Sequence, residues 1–151
     1  GGYHTMALCR DRSVVFWGLN GSGQAPRERL PGPFIDVSAG FNFSLMLREN
    51  GSMHGTGSHV DGCVPRGGVA GPFIAIAAGS FVCIGLFANG DIQHWGRVGG
   101  EGQPPAGVIK GPFLAVTAGG YCTLALRKDG SAQAFGSYDF AGAEPVDARG
   151  F

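Results

Sequence analysis

Residues 32–40 read GPFIDVSAG, and the pattern returns as GPFIAIAAG at residues 71–79 and as GPFLAVTAG at residues 111–119. The conserved spacing of these three copies, 39 and then 40 residues, marks an internal repeat. After each Phe, apolar and small residues alternate with the period of two that is typical of a β-strand. Because self-similarity at a fixed period indicates a repeat architecture, the sequence predicts several copies of one small sheet, each opened by this leading strand.

Each unit continues with an apolar run, a turn and a pair that ends in Gly. The runs are TMAL, SLML, CIGL and TLAL, at residues 5–8, 44–47, 83–86 and 123–126. Asn-Gly or Asp-Gly follows three of the runs, and such pairs favour the positive φ angles of a two-residue hairpin turn. The closing pair is Trp-Gly, Thr-Gly, Trp-Gly and Phe-Gly, at residues 17–18, 56–57, 95–96 and 135–136. The unit therefore contains a leading strand and a hairpin, with a short fourth strand expected near residues 68–70 and 107–109.

A single unit of this kind cannot bury both of its faces, whereas units stacked around an axis can. The sequence therefore predicts an all-β fold of about four β-propeller blades that form one repeat region over residues 1–151. The repeats are expected at residues 1–39, 40–78, 79–118 and 119–151. The Ala-Gly pair that ends each leading strand suits a crowded inner edge near the ring axis, and the Trp or Phe before Gly is expected to fill the space between sheets. A parallel β-helix is the alternative fold.

Composition supports short strands joined by tight turns, because Gly supplies 29 of the 151 residues. The 11 basic and 11 acidic residues balance, so no nucleic acid or membrane partner is expected. Four cysteines occur without Cys-x-x-Cys spacing, which predicts free, mostly buried thiols and no metal site or cofactor. The sequence leaves the compartment open, with the cytoplasm favoured.

These features together resemble the regulator-of-chromosome-condensation repeat family. The resemblance is carried by Ala-Gly, then Ser/Thr-x-x-Leu, Asp/Asn-Gly and Trp-Gly, and by Gly-Gln-x-Pro at residues 23–26 and 102–105. It implies a β-propeller, commonly of seven blades. The family includes exchange factors for Ran-type small GTPases, propellers attached to HECT-type ubiquitin ligases, accessory domains of channels and kinases, and a bacterial propeller that inhibits β-lactamases. The short period is more similar to that compact bacterial type.

The strand count is unequal, since four hairpins are predicted but only three leading strands. The chain begins where a leading strand would end, and residues 150–151 stand where a fourth would begin. A closed ring would need that strand to pair its edge. We therefore expect the chain to be a piece of a larger ring, for which the family resemblance implies seven blades; the alternative is self-association of two copies.

The turn after Ala-Gly differs from copy to copy, and it is the candidate binding site. A propeller would gather the four turns on one face, where the aromatic residues would form an arc. The predicted partner-binding residues are Tyr3, Phe41, Asn42, Phe81 and Tyr121. Packing of these rings between blades is the alternative. The loops after Trp-Gly supply a predicted secondary rim, at Asn20, His59, Arg97 and Tyr138.

No residue pattern favours an enzyme. The four histidines fall at different repeat positions, and the glycine-rich residues 18–23 do not open a helix as a phosphate-binding loop should. The predicted function is a protein-protein interaction module, part of a larger regulatory or scaffold protein, with another protein as its partner. The alternatives are a guanine-nucleotide exchange factor for a Ran-type GTPase and the substrate-recognition part of a ubiquitin ligase.

Overall fold

The computed structural model describes residues 1–58, 62–63, 68–96, 107–136 and 146–147. The strands in these ranges are β1 His4–Leu8, β2 Val14–Gly18, β3 Phe34–Ala39, β4 Phe43–Arg48, β5 Met53–Gly57, β6 Phe73–Ala78, β7 Val82–Phe87, β8 Ile92–Gly96, β9 Gly107–Ile109, β10 Phe113–Ala118, β11 Cys122–Arg127, β12 Ser131–Gly136 and β13 Val146–Asp147. None of the described residues belongs to a helix long and apolar enough to cross a membrane.

The strands form four antiparallel sheets, which we number as blades 1 to 4 in chain order. Blade 1 is β1-β2, blade 2 is β3-β4-β5, blade 3 is β6-β7-β8-β9 and blade 4 is β10-β11-β12-β13. The predicted leading strands are β3, β6 and β10, and blade 1 has only its hairpin. The predicted fourth strand is β9 at residues 107–109, whereas in the two preceding blades it is reduced to single bridges, Val14 to Leu30 and Met53 to Val69.

The leading strands lie beside one another at the inner edge of the array, where β6 contacts both β3 and β10. Each contains a β-bulge at its second residue, because the register shifts between the first and third. The three bulge residues are apolar and exposed in every copy, at 44%, 56% and 57% for Ile35, Ile74 and Leu114.

The hairpin turns differ from the sequence prediction. The Gly51 amide donates to the Arg48 carbonyl over 2.9 Å and the Arg48 amide donates to the Ser52 carbonyl over 2.8 Å, so the loop holds three residues and not two. Only the Gly has a positive φ, 79°, while the Asn50 side chain accepts a hydrogen bond from the Ser52 amide. The predicted two-residue turn is therefore wrong: a type I turn followed by a left-handed Gly is formed instead. Blade 1 lacks that Gly, and Arg12 adopts the left-handed conformation with a φ of 63°.

The core lies between blades. We call the side of a blade that faces the next blade its forward face and the opposite side its backward face. Each interface joins a forward face to a backward face, and the largest cluster combines Phe43, Leu45 and Leu47 of blade 2 with Phe73 and Cys83 of blade 3. Equivalent clusters join blade 1 to blade 2 and blade 3 to blade 4. The stability of the array therefore comes from contacts between repeats rather than within them.

The Gly-Pro-Phe motif connects neighbouring blades. The amide of Phe73 donates to the carbonyl of Gly51, which lies in the hairpin turn of the preceding blade, over 2.9 Å. Phe34 and Phe113 make the same bond with the turns of their preceding blades. The Gly of the motif is required by this close approach, because a Cβ on Gly71 would lie 2.0 Å from the Gly51 oxygen.

Candidate partner-binding face

The four predicted aromatic turn residues form one continuous series of rings, which we call the aromatic arc. The ring centroids of Tyr3 and Phe41 are 5.5 Å apart, those of Phe41 and Phe81 are 6.1 Å apart, and those of Phe81 and Tyr121 are 4.8 Å apart. The first pair meets edge to face and the last pair is stacked, both of which are favourable arrangements for aromatic rings. Tyr3 is 64% exposed, and the other three rings are half-buried.

The backbone determines where the four rings of the arc lie, because the same turn recurs in the repeats and successive turns stack on each other. The amide of the Gly that begins the turn donates to the carbonyl three residues later in blades 2, 3 and 4. Successive turns are also joined, since the Gly2 amide donates to Gly40 over 3.2 Å and the Ser80 amide donates to Gly120 over 3.0 Å. Side chains that leave these turns at equivalent positions therefore lie next to one another.

The prediction of a crowded inner edge is confirmed by the glycines beneath the arc. A Cβ on Gly79 would lie 2.0 Å from the Gly119 oxygen, and one on Gly40 would lie 2.7 Å from the Gly79 oxygen. With the neighbouring alanines, these glycines line a shallow open depression of about 200 Å³ beside the Phe41 ring. The arc therefore borders a smooth hollow lined by small residues.

Charge is absent from the four arc turns, at residues 2–4, 41–43, 80–82 and 120–122. Three ion pairs lie instead near the hairpin turns at the opposite end of the strands, where they join Arg12 to Glu49, Arg29 to Asp11 and Lys110 to Asp91. The four arc turns are thus neutral and largely apolar.

The remaining predicted residues are placed less uniformly. Asn42 lies within the arc turn of blade 2, and its carbonyl accepts the Ser58 amide at 2.9 Å. Asn20 lies on the same end of blade 1, where its side-chain oxygen accepts the Ala25 amide at 2.9 Å and so holds its own loop. The other three rim residues, His59, Arg97 and Tyr138, lie outside the described residues. The role of all these residues in binding stays a prediction.

Sequence reasoning missed an apolar neighbour of the arc. Leu19 is 52% exposed, and its amide donates to the Tyr3 carbonyl over 2.9 Å. It directly follows Trp-Gly in blade 1 and precedes the predicted rim residue Asn20. Leu19 extends the apolar surface outward from Tyr3.

A buried polar network behind the arc was also missed. His4 Nε2 lies 2.8 Å from Ser44 Oγ, and Ser44 Oγ donates to the Gln24 carbonyl over 2.7 Å. Because the hydroxyl has one proton and gives it to Gln24, the His4 ring must donate from Nε2. Burial, followed by the nearby N-terminal charge, lowers the pKa of His4 below 6.5, which keeps the ring neutral. The network ties the Gly-Gln-x-Pro loop and β1 of blade 1 to β4 of blade 2.

The same connection recurs between blades 2 and 3 with a thiol in place of the hydroxyl. Cys83 Sγ donates to the Cys63 carbonyl over 2.8 Å, and burial raises the pKa of the Cys83 thiol well above its usual value. None of the four cysteines forms a disulfide; Cys63 and Cys83 are buried as predicted, whereas Cys9 is half-buried and Cys122 is exposed. Among the described residues, no group of three or more His, Cys, Asp or Glu side chains could hold a metal ion.

The repeat that contains β3, β4 and β5 resembles a known repeat family. Residues 34–63 match the family model of the Regulator of chromosome condensation (RCC1) repeat. This segment is therefore similar to an RCC1 repeat. The match starts at the leading strand and ends in the loop that reaches Cys63, so it covers the leading strand and hairpin of one blade, and the predicted family resemblance is confirmed.

Solved structures show that the four blades have the fold of a β-propeller. Human WBSCR16 superposes with a TM-score of 0.75 at 19% identity over 89% of this chain and 45% of its own. Prp20p from Saccharomyces cerevisiae gives 0.71 at 19% identity, over 89% and 43%. The ectodomain of the receptor kinase ACR4 from Arabidopsis thaliana gives 0.69 at 24% identity, over 95% and 50%. At these identities the likeness shows the fold, and the predicted β-propeller class is confirmed. The chain spans half or less of each of these structures, and a comparison with curated proteins gave no match.

Proposed function

We propose that this chain is a protein-interaction module that binds another protein through the aromatic arc and carries out no catalysis of its own. The observation that carries the proposal is the unbroken contact of four rings that come from four uncharged turns. These rings occupy a turn whose sequence differs in every copy, whereas its Gly-to-carbonyl hydrogen bond recurs in blades 2, 3 and 4. A scaffold position that is constant in backbone and variable in side chain is suited to recognition.

Aromatic side chains on a rigid turn make efficient contacts with a partner. They offer a large area and few rotatable bonds, so little conformational entropy is lost on binding. Each ring of the arc already touches its neighbour, which restricts the ring further before a partner arrives. Tyr3 and Tyr121 at the two ends add hydroxyl groups, which can donate to or accept from polar groups at the rim of the interface.

The structural neighbours support this class of function and leave the partner open. Prp20p is described with its binding properties to Gsp1p and histones, and yeast RCC1 (Prp20) has been seen bound to Kap60. Both cases are proteins bound by a propeller of this type. The similarity in sequence is 17% to 19%, so neither partner transfers to this chain.

Nucleotide exchange on a Ran-type GTPase is the second candidate, and the likeness to the fold of Prp20p favours it over the third. That third candidate, recognition of ubiquitin-ligase substrates, stays a prediction. The chain should then accelerate release of a fluorescent nucleotide from the GTPase. Unchanged release from a panel of small GTPases would exclude exchange activity without affecting the arc proposal.

Affinity capture followed by calorimetry tests the arc. Wild-type protein is compared with Tyr3→Ala, Tyr121→Ala and the double variant, and the captured protein is then titrated against each. Loss of an anchor residue of this type should weaken binding by about tenfold or more. Leu114→Ala is the matched control, because Leu114 is 57% exposed, similar to Tyr3, but lies at the other end of the leading strand. Equal affinity of the double variant and the wild type would reject the arc as the binding surface.

A further inference from the structure

The corner of blade 2 beside its hairpin turn holds two basic side chains next to one aromatic ring. Arg48, the last residue of β4, stacks on the Phe34 ring, with its Cζ 4.7 Å from the ring centroid. His54 on β5 lies beside the same ring, and the two ring centroids are 6.3 Å apart. Both side chains are half-buried, and neither makes a hydrogen bond or an ion pair with any described residue.

Blade 4 shows the same corner with an acceptor supplied by the repeat itself. Arg127 is the equivalent of Arg48 and stacks on Phe113 in the same way, with its Cζ 4.5 Å from the ring centroid. There the guanidinium donates a hydrogen bond to the side-chain oxygen of Gln133. The strand register aligns Gln133 with His54. In blade 2 the oxygen that accepts from the arginine is therefore replaced by a second nitrogen base.

A cavity of about 340 Å³ opens at this corner of blade 2. Arg48 and His54 line it together, and residues 68–70, which pair with β5 through a single bridge, form another part of its wall. Glu49, the carboxylate that follows Arg48 in the chain, pairs with Arg12 of blade 1 instead. The cavity thus presents a guanidinium and an imidazole without a paired carboxylate among the described residues, which favours an anionic ligand.

We propose that this cavity binds a phosphate group, which takes the place that the Gln133 oxygen occupies in blade 4. The Arg48 guanidinium offers a fork of N–H donors that matches two oxygens of a phosphate, and its stacking on Phe34 orients the fork before a ligand arrives. The His54 ring can donate an N–H to a third oxygen. A carboxylate has only two oxygens, so the fork alone would use both and leave His54 without a partner.

Titration of the full chain with inorganic phosphate in low-salt buffer, followed by nitrogen-15 NMR, tests the site. The backbone amides of residues 48–54 should shift in a saturable way. Acetate should need a concentration at least about tenfold higher, because it cannot engage both basic side chains. A parallel titration with phosphoserine distinguishes the two sources of the group, since tighter binding than inorganic phosphate would assign a phosphorylated side chain and weaker binding would assign the free ion.

Two variants remove the site by introducing residue types that the repeat already carries at the same positions. His54→Gln supplies the internal acceptor seen in blade 4, and Arg48→Phe supplies the ring that Phe87 places 4.3 Å from Phe73 in blade 3. Each variant should therefore fold and should weaken phosphate binding by at least about tenfold, because a hydrogen bond to a charged group is lost. Arg127→Gln is the matched control and should leave the affinity unchanged.

The His54 ring provides a second measurement. Burial and the neighbouring Arg48 lower the pKa of His54 below 6.5, and a bound anion should raise that pKa. Sulfate, a tetrahedral dianion whose charge stays constant in this pH range, serves as the probe in an NMR titration of the ring.

Absence of a saturable shift at residues 48–54 would overturn the proposal. Equal affinity of the wild type and His54→Gln for phosphate, or equal affinity of the wild type for acetate and phosphate, would also overturn it. None of these outcomes bears on the aromatic arc, which lies at the opposite end of the strands.

Discussion

His94 should make the stability of this protein depend on pH between about 4 and 6.5. The ring is only 5% exposed on β8, and among the described residues neither of its nitrogens has a hydrogen-bond partner. Burial lowers its pKa from 6.5 to about 4. In this pH range His94 is protonated in the unfolded chain but neutral in the folded protein. The stability contributed by the neutral ring is therefore fully present above pH 6.5 and is lost as the pH falls toward 4.

The magnitude follows from the two pKa values. One unit of difference corresponds to about 1.4 kcal/mol, so the His94 contribution lost across the window is about 3 kcal/mol. Burial also lowers the pKa of His4 and of His54, and the wild type should lose further stability through them. The pKa values of Asp11 and Asp91 are lowered from 3.8 mainly by side-chain hydrogen bonds, so these groups titrate below the window.

Replacement of His94 by Phe isolates the effect, because Phe16 occupies the equivalent position in blade 1. Urea unfolding of both proteins at neutral pH and near pH 4 gives the free energy of unfolding at each end of the window. The wild type should lose about 3 kcal/mol more than His94→Phe over this range. Any packing change caused by the larger ring cancels, since each protein is compared with itself. Equal losses in the two proteins would show that His94 is protonated in the folded state and would refute the reasoning.

Three further predictions concern the blade contacts and the arc. Ser44→Ala should lower the free energy of unfolding by about 1 to 3 kcal/mol in urea, because it leaves the buried His4 Nε2 without a partner and the Gln24 carbonyl with only the longer bond from Thr56; a loss below about 0.5 kcal/mol would contradict this. Gly71→Ala should lower the melting temperature by several degrees, because its Cβ would lie 2.0 Å from the Gly51 oxygen, whereas Gly21→Ala, with no atom within 4 Å of the added Cβ, should leave it unchanged. Binding through the neutral aromatic arc should vary little with salt, and a steep fall in calorimetric affinity as salt rises would instead indicate a charged contact surface.

The sequence was sufficient for the parts of the fold that repeat. The spacing of Gly-Pro-Phe located every leading strand, and the apolar runs located every hairpin, because periodic patterns report strand and face directly. The turn type was predicted wrongly, since Asn-Gly suits two kinds of hairpin and only the bond from Gly51 to Arg48 distinguishes them. The buried contact between His4 and Ser44 could not be predicted, because it joins residues 40 positions apart that follow no shared motif.

The aromatic arc could be predicted because the repeat restricts the residues immediately before and after each arc turn. In blades 1 to 3 the Gly before the arc turn is fixed by the backbone of the next blade, as the 2.0 Å approach at Gly79 shows. The strand that follows is fixed by burial, since Phe43 is only 2% exposed. The arc-turn residues between that Gly and that strand have a defined backbone. Their side chains are restricted neither by the backbone of the next blade nor by burial in the core. Variation between copies of a repeat therefore collects at such turns, and a rigid ring placed there gains contact area without disturbing the blades. The same argument does not extend to Asn20, whose side chain is engaged in its own loop and has a structural reason for its identity.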